Sequence, residues 1–184
     1  DYKGSEKFLK AAKLLIEKYP DKKIKLILGM HGNDVEEFEK LIHTYQLESR
    51  CEYISHLNLP DLHAYMNLEN LILYDQFGDF VHHSLGGITR EALANNCTVV
   101  TSTQRDDKAF KNVYGPDCPI FTAEETEEIF NQSIQIFENS YHIRYREEKR
   151  GENWIRNYLD WKNKIDDVIE MLQVAINEYV ESTK

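Results

Sequence analysis

Apolar positions over residues 1–122 switch repeatedly between a helical period and short continuous runs, and that alternation predicts the architecture. Phe8, Ala11 and Leu15 recur at three- and four-residue steps, which predicts a helix over Ser5 to Lys18 that Tyr19-Pro20-Asp21 ends. An apolar strand over Ile24 to Leu28 follows. A helix from about Asp34 to Tyr45 then carries Phe38, Leu41, Ile42 and Tyr45 as a buried stripe. Cys51 to Ile54 reads as a strand, and Pro60-Asp61 opens a helix of one or two turns ending at Met66. Leu71 to Tyr74, the segment from about Gly87 to Asn95, and Cys97 to Thr101 read as strand, helix and strand. A loop rich in turn residues, Gln104 to Pro119, leads to a short edge strand at Ile120-Phe121. Strands alternating with helices at this spacing predict an α/β fold, a Rossmann-like parallel sheet flanked by helices.

The rest of the chain changes character. From Ala123 to Glu181 the pattern is helical throughout, interrupted by a charged break at Glu147 to Glu152. Ile165, Val168, Ile169, Leu172 and Ile176 would line one face of the last helix. That face is either packed or left to a missing partner. The chain of 184 residues therefore divides into an α/β core over 1–122 and C-terminal helices over 123–184, within a single domain.

Composition narrows the classes. The formal net charge is -10, from 32 acidic and 22 basic residues, and no basic stripe stands out, so nucleic acid is not an expected partner. The acidic balance reads as solvated helix faces. Cys51, Cys97 and Cys118 are odd in number and widely spaced; they read as small buried residues of a reducing compartment, with no disulfide or metal site. The seven histidines show no metal-ligand spacing with them, and His56 and His63 read as loop and cap residues. No apolar run approaches the length that spans a membrane.

The candidate chemistry lies between Tyr74 and Ser102. Gly86-Gly87 at a helix start would leave backbone N–H groups unpaired, with the helix dipole pointing the same way: a phosphate site. Glu91, one turn into that helix, is placed to accept from ribose hydroxyls. Asp75 ends the strand that feeds the loop and either binds a hydroxyl or caps the next turn. His82 and His83 are either exposed loop residues or donors to a phosphate oxygen. Arg90 and Lys108 are further candidate cations, although Arg90 could equally pair with an acid on its own helix.

This segment resembles the donor-site segment of GT-B-fold glycosyltransferases, above all the retaining group often called glycosyl transferases group 1. Their pattern is Glu, a small residue, Phe and Gly, then a few residues on Glu-Ala-Met-Ala-x-Gly-x-Pro-Val-Val. Here Gly86, Glu91, Ala92, Ala94, Val99 and Val100 match, whereas His83 stands where the first glutamate belongs, and Asn96 and Thr98 replace the glycine and proline. A His and Glu at this spacing also occur in enzymes similar to the plant and animal UDP-dependent transferases, whose tryptophan-rich box this chain lacks. Lys3-Gly4 before the first helix resembles the family's Lys-Gly loop, and Gly29 the end of the strand before its Gly-x-Gly loop. The resemblance runs from Lys3 to about Phe137.

The resemblance implies the carboxyl-terminal half of a two-domain GT-B enzyme of hexosyltransferase type. It implies a nucleotide-diphosphate sugar as donor substrate, no metal and no separate cofactor. His83 is the implied catalytic residue, and Lys3, Gly29, Gly86, Gly87 and Glu91 the implied donor-binding set. The acceptor would be held by a missing N-terminal domain, and the fragment alone would be inactive. On this alignment the chain starts just after the first strand, so the sheet lacks an inner strand or borrows one, and self-association through the C-terminal helices is expected. The expected location is cytoplasmic, or peripheral at the inner membrane face in the full-length protein. Two alternatives stay open: a nucleotide-sugar epimerase on the same fold, and a non-catalytic Rossmann-like interaction domain.

Overall fold

The computed structural model describes residues 4–29, 35–54, 58–75, 77, 84–103, 105–160, 162, 165, 168–170 and 172–174. Its elements run α1 (Ser5–Lys18), β1 (Leu26–Gly29), α2 (Val35–Thr44), β2 (Cys51–Ile54), α3 (Leu59–Met66), β3 (Ile72–Asp75), α4 (Gly87–Ala94) and β4 (Thr98–Thr101). They continue α5 (Lys108–Tyr114), β5 (Phe121–Thr122), α6 (Thr126–Glu138), α7 (Tyr141–Glu147) and α8 (Arg150–Tyr158). Ile165, residues 168–170 and residues 172–174 are helical as well.

Among the described residues the strands fall into two parallel sheets. β1 pairs with β2, Leu26 opposite Cys51 and Gly29 opposite Ile54. β3, β4 and β5 pair in that order, Ile72 opposite Thr98 and Val100 opposite Phe121. All four residues of β4 are buried, as a central strand covered on both faces requires. Its valines divide the molecule. Val99 joins a core with Leu93, Phe110, Tyr145 and Trp154 from α4, α5, α7 and α8. Val100 points the other way, to Ala11, Ile129 and Ile136 from α1 and α6. Helices on both faces of a parallel sheet make this a doubly wound layer.

Helix α1 joins the two sheets. Leu9 and Ala12 pack with Leu26 and Leu28 of β1, while Ala11 packs with Phe77 and Val100 beside β3 and β4. The single stripe of Phe8, Ala11 and Leu15 is therefore too narrow a reading: Leu9 is fully buried and Ala12 nearly so, because this helix serves two cores. Phe8 lies between them, its ring 5.0 Å from that of Tyr74.

Local signals explain most boundaries. Asn58 caps α3 by accepting from the Asp61 N–H at 2.9 Å, and Pro60 sits in the first turn. A capping box, Glu125 with Glu128, opens α6. Three expectations need correction. The stretch Gln104 to Pro119 contains α5, started by the Asp107 carboxylate accepting from the N–H groups of Ala109 and Phe110. The helical tail breaks at Ser140 as well as at Lys149, both in the left-handed conformation. The charged break is also shorter than Glu147 to Glu152, since Arg150, Gly151 and Glu152 belong to α8. A side chain at Gly151 is excluded, because its Cβ would lie 2.1 Å from the Leu93 carbonyl oxygen on α4. Further on, Ile165, Val168, Ile169, Leu172 and Val174 are all exposed.

Candidate functional site

Three helix N-termini gather at one edge of the molecule. α4 follows β3 directly, and the Thr89 hydroxyl in its first turn donates to Asp75 Oδ2 at the strand's carboxyl end, at 3.0 Å. Asp75 thus accepts from the first turn of the helix that follows it. Thr89 is 1% exposed, so this bond anchors the helix start to the strand from within.

The start of α1 comes to the same place. Gly4, its N-cap, has φ 68° and ψ 32°. A Cβ there would lie 2.0 Å from the carbonyl oxygen of Phe77, two residues beyond the end of β3. A non-glycine residue would both strain the backbone and collide with that carbonyl. The start of α1 therefore abuts the backbone just beyond β3.

The third N-terminus belongs to α3, and two contacts fix its direction. His63, fifth residue of α3, lies with Nε2 3.1 Å from Oε2 of Glu91, fifth residue of α4. One turn on, the Asn95 amide just past α4 reaches the sulfur of Met66, the last residue of α3, at 3.9 Å. Equal depths match at both points, so α3 and α4 run side by side in the same direction and open at the same end.

The consequence is electrostatic. Each helix start carries about half a positive charge and N–H groups without intrahelical acceptors. The N-caps of α4 and α1, Gly86 and Gly4, have no side chain of their own to cap these helix starts. Around Gly87, apart from its chain neighbours and the backbone of its own helix, no heavy atom among the described residues lies within 4 Å of where a Cβ would stand. Backbone donors with open space above them are what a phosphate needs.

Of the expected donor set, Gly86, Gly87 and Glu91 come together on α4, and Gly29 ends β1 in an exposed position. Lys3, His82 and His83 lie outside the described residues, as does Met30-His31-Gly32-Asn33-Asp34. His63 corrects an expectation: it lies inside α3, bonded to Glu91, and is neither a loop nor a cap residue. Nothing local in the sequence could couple it to a glutamate 28 residues away. Burial pushes the thiols of Cys97 and Cys118 up to about 11 and about 12, which keeps both neutral and poorly nucleophilic. Among the described residues no group of three or more His, Cys, Asp or Glu could hold a metal ion. No described helix is long and apolar enough to cross a membrane.

No protein-family model matches the sequence, and neither does any curated protein sequence. The fold does have solved counterparts. The chain is similar to the crystal structure of the C-terminal domain of a glycosyl transferase group 1 family protein, LpcC, from Francisella tularensis. That likeness has a TM-score of 0.63 at 18% identity, over 86% of this chain and 80% of that one. It establishes the fold, α/β with parallel sheets flanked by helices, as in the C-terminal half of a GT-B molecule.

Proposed function

We propose that this chain is the donor-binding half of a glycosyltransferase, which takes a nucleotide-diphosphate sugar and transfers its hexosyl group to an acceptor held by another domain. The observation that carries the reading is the convergence of the α1, α3 and α4 N-termini at one edge, with Gly4 against Phe77 and Glu91 one turn below Gly87. The fold shared with the C-terminal domain of a glycosyl transferase group 1 protein supports it.

In this reading the amides of Gly86 and Gly87 cradle the diphosphate, Gly29 lets the nucleotide approach the end of β1, and Glu91 accepts from the ribose hydroxyls. When the bond from the anomeric carbon to the diphosphate oxygen breaks, its electron pair stays on that oxygen. Lys3 and His83, together with the helix ends, stabilise the charge that develops there. His83 can donate to a phosphate oxygen, which a glutamate at that position cannot do. No metal ion is required for this step, the reaction belongs to the cytoplasm, and the isolated chain binds donor weakly and turns nothing over.

The test is calorimetry with UDP, GDP, ADP, CMP and NAD, on the wild-type chain and on Glu91→Ala and His83→Ala. Selective binding of one nucleoside diphosphate, weakened by both substitutions, is the expected result. A full-length protein that binds none of the five would overturn the reading and favour an interaction domain. A full-length protein that rearranges the donor sugar without any acceptor would favour an epimerase.

A further inference from the structure

The groove between α3 and α4 contains a feature that the donor-site reading leaves unused. The two helices run in the same direction, and their N-termini form its mouth. At 1.5 Å of rise per residue, the fifth residue of each helix lies about 6 Å below that mouth. There His63 Nε2 approaches Glu91 Oε2 at 3.1 Å, and no described residue bonds the other carboxylate oxygen, Oε1. Both helices are fixed at this level. Leu62 and Met66 of α3 pack into the core that contains Ala92 and Leu93 of α4. The Asn95 amide donates to the Glu91 carbonyl at 2.8 Å and also reaches Met66.

A glutamate on an exposed helix face ordinarily samples several rotamers, and fixing it at a ligand costs entropy at the moment of binding. Here the imidazole holds one carboxylate oxygen before any ligand arrives. The side chains are 41% and 44% exposed, so as an ion pair this contact contributes little to stability. Its use lies in orientation.

We propose that His63 is a positioning residue for a ribonucleotide: it fixes Glu91 through Oε2 so that Oε1 faces the mouth of the groove and accepts from the vicinal hydroxyls of ribose. The ligand class is thereby narrowed to nucleotides that keep both hydroxyls. The inference rests on the donor-site reading above and adds a specificity device to it.

The test compares a nucleoside diphosphate bound by the wild-type chain with its 2′,3′-dideoxy counterpart. Affinities are measured for wild type, His63→Ala, His63→Gln, Glu91→Ala and the double variant. His63→Ala should weaken the ribonucleotide about fivefold, the scale of one ordinary net hydrogen bond, and leave the dideoxy form unchanged. His63→Gln, whose amide can still donate to Oε2, should recover part of the loss. In the Glu91→Ala background the His63 substitution should have no further effect. An equal loss for both nucleotide forms, or no loss for the ribonucleotide while Glu91→Ala weakens it, overturns the positioning role alone. A wild-type protein indifferent to every nucleotide, or a Glu91→Ala variant that binds as tightly as wild type, overturns the donor-site reading from which it starts.

Discussion

Adding one methyl group at Gly4 tests how the site is assembled. The Cβ of Gly4→Ala would lie 2.0 Å from the Phe77 carbonyl oxygen and 2.2 Å from its carbon. An ordinary carbon–oxygen contact is about 3.3 Å or more, so the helix start must move by over an ångström. Phe77 cannot yield easily: the atoms in the way are backbone, and its side chain is 2% exposed in the core shared with Ala11 and Val100. Overpacking of this kind costs about 1–3 kcal/mol. The left-handed backbone at Gly4 adds roughly 1–2 kcal/mol for a residue with a Cβ. The expected loss is therefore about 2–5 kcal/mol, a large share of a domain's roughly 5–15 kcal/mol. Urea unfolding reads it as a midpoint lowered by about 1 M or more at unchanged slope. Gly4→Asn separates the two causes, since Asn tolerates the left-handed region but still collides with Phe77. It should lose somewhat less than Ala and remain well below wild type. A loss under about 0.5 kcal/mol for Ala, or full stability with Asn, would mean that α1 does not begin against the end of β3. The convergence of helix N-termini would fall with it.

Gly87→Ala is the opposite case: the open space around it means the methyl should leave stability unchanged or raise it by about 0.5–1 kcal/mol, while lowering nucleoside diphosphate affinity; unaltered affinity in calorimetry would remove Gly87 from the cradle. Arg146 on α7 donates to the carbonyls of Met66 and Leu68 at the end of α3. Arg146→Met should therefore cost about 1.5–3 kcal/mol in thermal unfolding, and a change within 0.5 kcal/mol, roughly the noise of surface substitutions, would refute that tie. The Glu128 carboxylate accepts from the N–H groups of Glu124 and Glu125, which hold its carboxyl below the usual range. Its contribution is thus present above the unfolded value near 4.3 and lost as pH falls through the lower folded value. The melting difference between wild type and Glu128→Gln should be largest at neutral pH and vanish in strong acid; a difference that grows on acidification refutes the cap. Cys97 and Cys118 are buried and Cys51 is half-buried, so iodoacetamide should modify Cys51 first in the native protein and all three in denaturant. Comparable native rates at all three, by peptide mass mapping, would contradict the packing around β4.

Where sequence and structure agree, the signal is local. Tyr19-Pro20 stops α1 because proline cannot continue a helix, and Cys51 opens β2 because a run of strand formers begins there. The gathered glycines of α4 were legible for the same reason. α5 escaped because its seven residues bury only Phe110 and Tyr114, between turn-forming Asp106-Asp107 and Gly115-Pro116. The double burial of α1 escaped because periodicity reports one stripe, and only topology shows that one helix covers two sheets. The contact of His63 with Glu91 is farther still from the primary pattern. It requires β2, α3, β3 and α4 to be in place before the two side chains meet.

The same division between backbone and side chain bears on what the site recognises. The C-terminal domain with the matching fold is 18% identical to this chain. N–H groups at a helix start depend on no side chain, and Gly4 and Gly87 only need to stay small for them to remain accessible. A cradle made of backbone groups is compatible with His83 in place of the motif's first glutamate. Selection among sugars and bases has to come from side chains, and these are the positions at which this chain departs from the pattern. The ribose stands between the two. In the proposed reading it is met by a carboxylate that matches the motif, Glu91, held by a partner that does not belong to it, His63. If the proposed reading holds, substitutions at Gly86 and Gly87 should weaken all nucleoside diphosphates alike. Substitutions at His63 and Glu91 should instead separate ribonucleotides from their deoxy forms. A base-selective loss at Gly87, or a uniform loss at His63, would show that backbone and side chains do not divide the work in this way.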